Sequence, residues 1–122
     1  MNKTFGAILR EKRRATGLSQ RKLAESVQVD FSYISKIENN RLPPPSGETI
    51  VRLAEAIQVP AEELLAAAKK IPHAVGGEMV GEPSAQRFLR LASTMKLSNT
   101  EWETLVGKLK QLRDPDDTDG EH

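Results

Sequence analysis

Apolar residues recur at helical spacing through residues 1–70, and capping residues, glycine and proline punctuate them. From Thr4, the positions Phe5, Ile8 and Leu9 mark a first helix, and Gly17 after a basic last turn is its stop. Ser19 is an N-cap for a second helix with Leu23, Ala24 and Val27 facing inward. Asp30 opens a third, with Ile34 and Ile37 inside and Asn39-Asn40 able to turn left-handed at its end. Leu42-Pro43-Pro44-Pro45 cannot be helical and reads as a stiff connector. Ser46 then caps a fourth helix (Ile50, Leu53, Ala54, Ile57), and Pro60 precedes a fifth carrying Leu64 and Leu65.

After Lys70 the period breaks. Pro72, Gly76, Gly77, Gly81 and Pro83 crowd the segment 71–83, where no apolar period survives, and it reads as a flexible linker. Phe88, Leu91, Ala92 and Met95 then mark an amphipathic helix. Ser98-Asn99-Thr100-Glu101 has the form of a capping box opening another, with Trp102, Leu105, Val106, Leu109 and Leu112 on one face. Residues 84–113 are therefore expected to form a helical hairpin, and the acidic tail 114–122 to be disordered. No internal repeat is expected. The fold class is all-α: a five-helix domain over 1–70 followed by the hairpin.

Composition agrees, since aromatics are only 4% of 122 residues and the core must come from Leu, Ile, Val and Ala. Cysteine is absent, and no apolar run approaches a membrane span, so a soluble, cytoplasmic protein without membrane association is expected. The two histidines, His73 and His122, fall in the linker and the tail, and no phosphate-binding loop or metal-ligand spacing appears. An enzyme is not expected, nor a cofactor or metal.

Charge is more informative by position than in total. Residues 1–45 hold nine Lys or Arg against four Asp or Glu, whereas 114–122 hold five acidic residues and no basic one. A basic head of this kind suits a polyanionic partner, although a short run such as Arg10, Lys12, Arg13 and Arg14 could also be a solvated helix face.

Residues 19–27 and 30–39 form two short helices joined by a tight turn, a helix-turn-helix whose second helix can enter the DNA major groove. With Ile34 and Ile37 inward, the outward face consists of Phe31, Ser32, Ser35, Lys36 and Asn39, which is polar and positive. Lys36 can donate to guanine O6 or N7, and Ser32 to several bases. The ring of Phe31 can press on a thymine methyl group or fold back into the core. Arg10, Arg14, Arg21 and Arg41, with Asn39, are candidate phosphate contacts.

From Phe5 to Leu65 the chain resembles the Cro and phage-repressor type of helix-turn-helix regulators, known as XRE-like. The resemblance is carried by Leu18-Ser19-Gln20, Leu23-Ala24, the run Tyr33-Ile34-Ser35-Lys36-Ile37-Glu38-Asn39, Pro45-Ser46 and Leu53-Ala54. It implies a five-helix domain that binds double-stranded DNA, usually as a dimer. It also implies a phosphate contact at Gln20, base reading from Phe31, Ser32 and Lys36 with Ser35 beside them, and a structural ion pair between Arg13 and Glu38. Two positions depart from the family pattern, which has glycine where this chain has Gln28 and Asn40. At Gln28 a different turn shape is expected, because glutamine is costly in the left-handed conformation.

The hairpin, with Phe88, Leu91, Trp102, Leu105, Val106 and Leu109, is expected to dimerise and so to place two recognition helices on a palindromic operator. The alternative is packing on its own DNA-binding domain. A repressor is the leading expectation. A protease cutting the linker is one candidate partner. A toxin sequestered by an autoregulating antitoxin is another.

Overall fold

The computed structural model describes residues 3–113 and contains eight helices and no strand among them. They are α1 (Phe5–Ala15), α2 (Gln20–Val27), α3 (Phe31–Glu38), α4 (Gly47–Ala56), α5 (Ala61–Ala68), α6 (His73–Val80), α7 (Pro83–Met95) and α8 (Asn99–Gln111). The tail expected at 114–122, with His122, lies outside the described residues. The chain divides into two units between Glu78 and Met79.

Side-chain caps begin four of the eight helices at positions that the sequence marks. Thr4 accepts from the Ala7 amide, Ser19 from Lys22, Ser46 from Thr49 and Ser98 from Glu101, each satisfying a donor that the helix itself cannot. Both halves of the capping box at α8 are present. Asp30 occupies the N-cap position of α3 but makes no side-chain cap bond.

In the first unit every helix from α1 to α5 contributes to one core. Leu9, Leu23, Ile34, Ile50, Leu53 and Leu64 are all fully buried, and Ile37 and Ile57 join them. Burying an aliphatic side chain of this size stabilises by roughly 1.5–3 kcal/mol, so this cluster is what holds the helix-turn-helix in place. Glycine permits two close approaches. A Cβ on Gly6 would stand 2.3 Å from the Ile37 carbonyl oxygen, so α1 lies directly against the end of α3. A Cβ on Gly47 would stand 2.8 Å from Pro72 Cα, which fixes the chain leaving α5 against the start of α4.

Three expectations change. First, Gln28 does adopt the left-handed conformation (φ 60°, ψ 48°), so the turn keeps the shape that glycine would give it. Asn40 is left-handed as well, at φ 61°. Second, the chain contains a short internal repeat. Leu23-Ala24-Glu25-Ser26-Val27-Gln28-Val29 and Leu53-Ala54-Glu55-Ala56-Ile57-Gln58-Val59 share five residues and end their helices in the same way. Gln28 and Gln58 have φ of 60° and 61°. The Val29 amide donates to the Ala24 carbonyl at 3.0 Å and the Val59 amide to Ala54 at 3.0 Å, the six-to-one bond of a Schellman motif. Third, a helix that the apolar pattern does not mark, α6, covers 73–80 within the segment 71–83, and Pro83 opens α7 at the position where a missing amide costs nothing. Helix α6 escaped the pattern because His-Ala-Val-Gly-Gly-Glu-Met-Val has no apolar stripe and two glycines.

In the second unit α7 and α8 form the hairpin. It has one buried apolar side chain among the described residues, Ala92.

Candidate nucleic-acid interface

The turn from α2 to α3 fixes which face of α3 looks outward. With Ile34 and Ile37 packed inward, Phe31, Ser32, Lys36 and Asn39 are exposed and Ser35 is half-buried. Phe31 is not folded into the core, being 41% exposed at the first turn of α3.

Behind that face a single buried carboxylate joins three helices. Glu38, at the end of α3, is 2% exposed. Arg13 of α1 grips it with two bonds, Nε to Oε2 at 2.6 Å and Nη2 to Oε1 at 2.9 Å, and its third nitrogen donates to the Leu18 carbonyl at 2.8 Å. From α2, Gln20 Nε2 donates to Glu38 Oε1 at 2.8 Å. Arg10 Nε lies 3.5 Å from the same oxygen, and its Nη2 donates to Asn39 Oδ1 at 2.7 Å. Burial acts against the charged form of Glu38. The hydrogen bonds from Arg13 and Gln20, the Arg13 charge and Arg10 outweigh it and hold the carboxyl below its ordinary value.

This arrangement changes what several residues are free to do. The Gln20 amide is engaged with Glu38, so a phosphate at that point would meet the backbone amides opening α2 before the side chain. Asn39 is engaged at both ends, accepting from Arg10 and donating through Nδ2 to the Ser35 carbonyl at 2.9 Å. A phosphate contact at Asn39 would have to displace one of these bonds. Arg10 likewise belongs to the frame. The convergence of Arg10 and Gln20 on Glu38 has no local sequence signature, since the residues lie 28 and 18 positions away from it.

The basic head divides accordingly. Lys3 pairs with Glu11, Lys12 with Glu63, and Arg10 and Arg13 with Glu38. Arg14, Arg21, Lys22, Lys36 and Arg41 have no ion pair among the described residues. Lys22, exposed in the first turn of α2, was not singled out by the sequence reading, and its signal is its place three residues after the Ser19 cap. The Arg41 amide donates to the Lys36 carbonyl at 2.8 Å, which holds Arg41 at the end of the recognition helix. Arg14, Arg21 and Phe31 border an open cleft of about 630 Å³.

The second unit offers a different surface. Phe88, Leu91, Trp102, Val106 and Leu109 are between 43% and 67% exposed, and Leu105 is half-buried. They line two apolar grooves of about 340 and 460 Å³, with Leu91 in the first, Trp102, Val106 and Leu109 in the second, and Phe88 and Leu105 in both.

A five-helix domain presenting an outward polar α3 over a fixed α2 is a helix-turn-helix DNA-binding unit. Residues 9–64, which hold α2 and α3, match the family model described as Helix-turn-helix. Over 67 residues it is 45% identical to the uncharacterized HTH-type transcriptional regulator RghRB of Bacillus subtilis (strain 168), a match covering 55% of this chain. The chain spans about half the length of that curated relative, 48%. Among solved structures it is similar to the master regulator for biofilm formation SinR in complex with DNA, at 31% identity and TM-score 0.48, covering 51% of this chain and 98% of that one. It is similar in fold to a complex of the SinR and SinI proteins, at 22% identity and TM-score 0.50, covering 90% of this chain and 98% of that one. No helix among the described residues is long and apolar enough to cross a membrane.

Proposed function

We propose that the chain is a sequence-specific repressor that binds a palindromic operator in double-stranded DNA as a homodimer in the cytoplasm. The observation that carries this reading is the exposed polar face of α3, held to α1 and α2 through buried Glu38 and flanked by cations that have no ion pair among the described residues. Lys36 donates to guanine, Ser32 and Ser35 bond to neighbouring base edges, and Phe31 meets a thymine methyl group. Arg14, Lys22 and Arg41 meet phosphates, as do the amides opening α2, and these contacts set the register without reading sequence.

Dimerisation is assigned to the α7–α8 hairpin because its apolar surface is extensive and little of it is covered within the described residues. A two-fold pair of recognition helices would then sit roughly 34 Å apart, one turn of DNA. The test is selection of bound duplexes from a random pool at about physiological salt, with a Lys36→Ala variant alongside. An enriched inverted repeat that the variant changes or loses supports the reading, and an unenriched pool overturns it.

A second reading is favoured by the same exposed hairpin, namely that it takes a different protein, such as a toxin or an antagonist. A complex of the SinR and SinI proteins is similar in fold to this chain. A regulatory protease that cuts within the segment 71–83 is the other candidate partner. A homodimer of the purified chain by analytical ultracentrifugation favours the first reading. A stoichiometric second protein that co-purifies favours the other.

A further inference from the structure

The guanidinium of Arg21 lies over the ring of Phe31, 4.8 Å from its centroid. The two belong to different helices, Arg21 to the first turn of α2 and Phe31 to the first residue of α3, so the contact spans the helix-turn-helix itself. Both side chains are exposed. Arg21 has no acidic partner among the described residues, unlike Arg10 and Arg13, whose guanidinium groups are taken by Glu38.

We propose that Arg21 is a base-reading residue oriented by Phe31, and that the pair together reads a guanine beside a thymine. The inference rests on the operator-binding reading above and refines it by naming a further specificity residue. A cation over an aromatic face uses the flat face of the guanidinium and leaves its in-plane N–H donors free. Those donors form the fork that matches O6 and N7 of guanine. Lying against the ring also restricts a long, mobile side chain before DNA arrives, which favours a directional contact. A phosphate accepts hydrogen bonds from many directions and needs no such restraint. With one face of its ring under Arg21, Phe31 keeps its edge for the methyl group of an adjacent thymine. Arg21 thus moves from the residues that position the protein to those that read sequence.

The test uses the full chain and the operator obtained by selection, followed by competition binding against every single-base-pair variant of that operator. Arg21→Lys keeps the charge and removes the fork; Phe31→Leu keeps an apolar side chain and removes the ring. Arg21→Lys is expected to lose roughly tenfold discrimination at one G·C pair while preferences elsewhere persist. Phe31→Leu is expected to weaken preference at that pair and at the neighbouring A·T pair. Unchanged thermal melts for both variants would accompany this, since neither side chain is part of the core. Wild-type base preferences at every position in Arg21→Lys would overturn the proposal and return Arg21 to a phosphate contact. Loss at unrelated pairs in the two variants would overturn it as well. If the wild-type chain selects no sequence at all, the operator-binding reading itself fails and takes this inference with it, a result distinct from the other two.

Discussion

The two units of the chain use the same kinds of apolar residue to opposite ends. In the first, Leu9, Leu23, Leu53 and Leu64 are at 0% exposure in a core to which five helices contribute. In the second, Leu109 is 67% and Leu112 77% exposed, and Ala92 alone is buried among the described apolar residues. Helical periodicity is present in both, so it identifies an apolar face without saying what covers it. The first unit closes its core from within. The second leaves its apolar side chains exposed within the described residues.

Glu38→Ala should have the largest effect on stability. It leaves Arg13, 6% exposed, without its carboxylate, and removal of one partner of a buried pair costs about 3–5 kcal/mol. Urea denaturation at neutral pH measures it. The same group sets a pH dependence. Because its folded-state value is lowered from the ordinary 4.5, its contribution is complete above that pH and is lost as pH falls below it towards the depressed value. The component should be missing from acid titrations of Glu38→Ala.

In the second unit, Leu109→Glu should leave the melting of the first unit unchanged while converting a dimer to monomer in sedimentation. Losing the tether between two reading heads should lower operator affinity by on the order of a hundredfold. Unchanged sedimentation and affinity would place the dimer contact elsewhere.

One substitution made in both units sharpens the contrast. Gly6→Ala drives a methyl group into the Ile37 and Glu38 carbonyls and should destabilise by about 1–3 kcal/mol. Gly107→Ala, with nothing within 4 Å of the new atom, should instead stabilise α8 by up to about 1 kcal/mol, because alanine is the better helix former. Chemical denaturation of the two variants gives both signs. Smallest of all, Gln28→Gly and Gln58→Gly should each stabilise by up to about 1 kcal/mol and by matching amounts, because the two turns have the same geometry.

Much of this was legible in the residues. Ser19, Ser46 and Ser98 announced their helices because capping is a local event, and Gly17, left-handed at φ 80°, announced the end of α1 for the same reason. The inward positions of α3 followed from spacing, and with them its outward face. What escaped depends on contacts between distant residues or on a weak local signal. Helix α6 has neither an apolar stripe nor a side-chain cap described for it. The need for glycine at position 6 comes from a carbonyl 31 residues onward in α3. Gln20, a phosphate contact by resemblance, and Asn39, a candidate for one, are hydrogen-bonded within the frame, and those of the bonds that reach residues far along the chain have no local signal.

The internal pairing of the basic head also bears on the ion atmosphere of the DNA. Nine basic residues precede position 46, and if all met phosphates, the logarithm of affinity would fall with that of salt concentration at a slope of about −8 per protomer. Four of them are already ion-paired, Lys3 with Glu11, Lys12 with Glu63, and Arg10 and Arg13 together with Glu38. The remaining five can displace only their own share of condensed counterions, a slope of about −4.5 at most if each meets a phosphate, and fewer where a cation faces a base. If the chain binds DNA as proposed, Glu38 would do more than hold α3 to α1 and α2: it would lower the sensitivity of binding to salt and leave more of the affinity to contacts that depend on sequence.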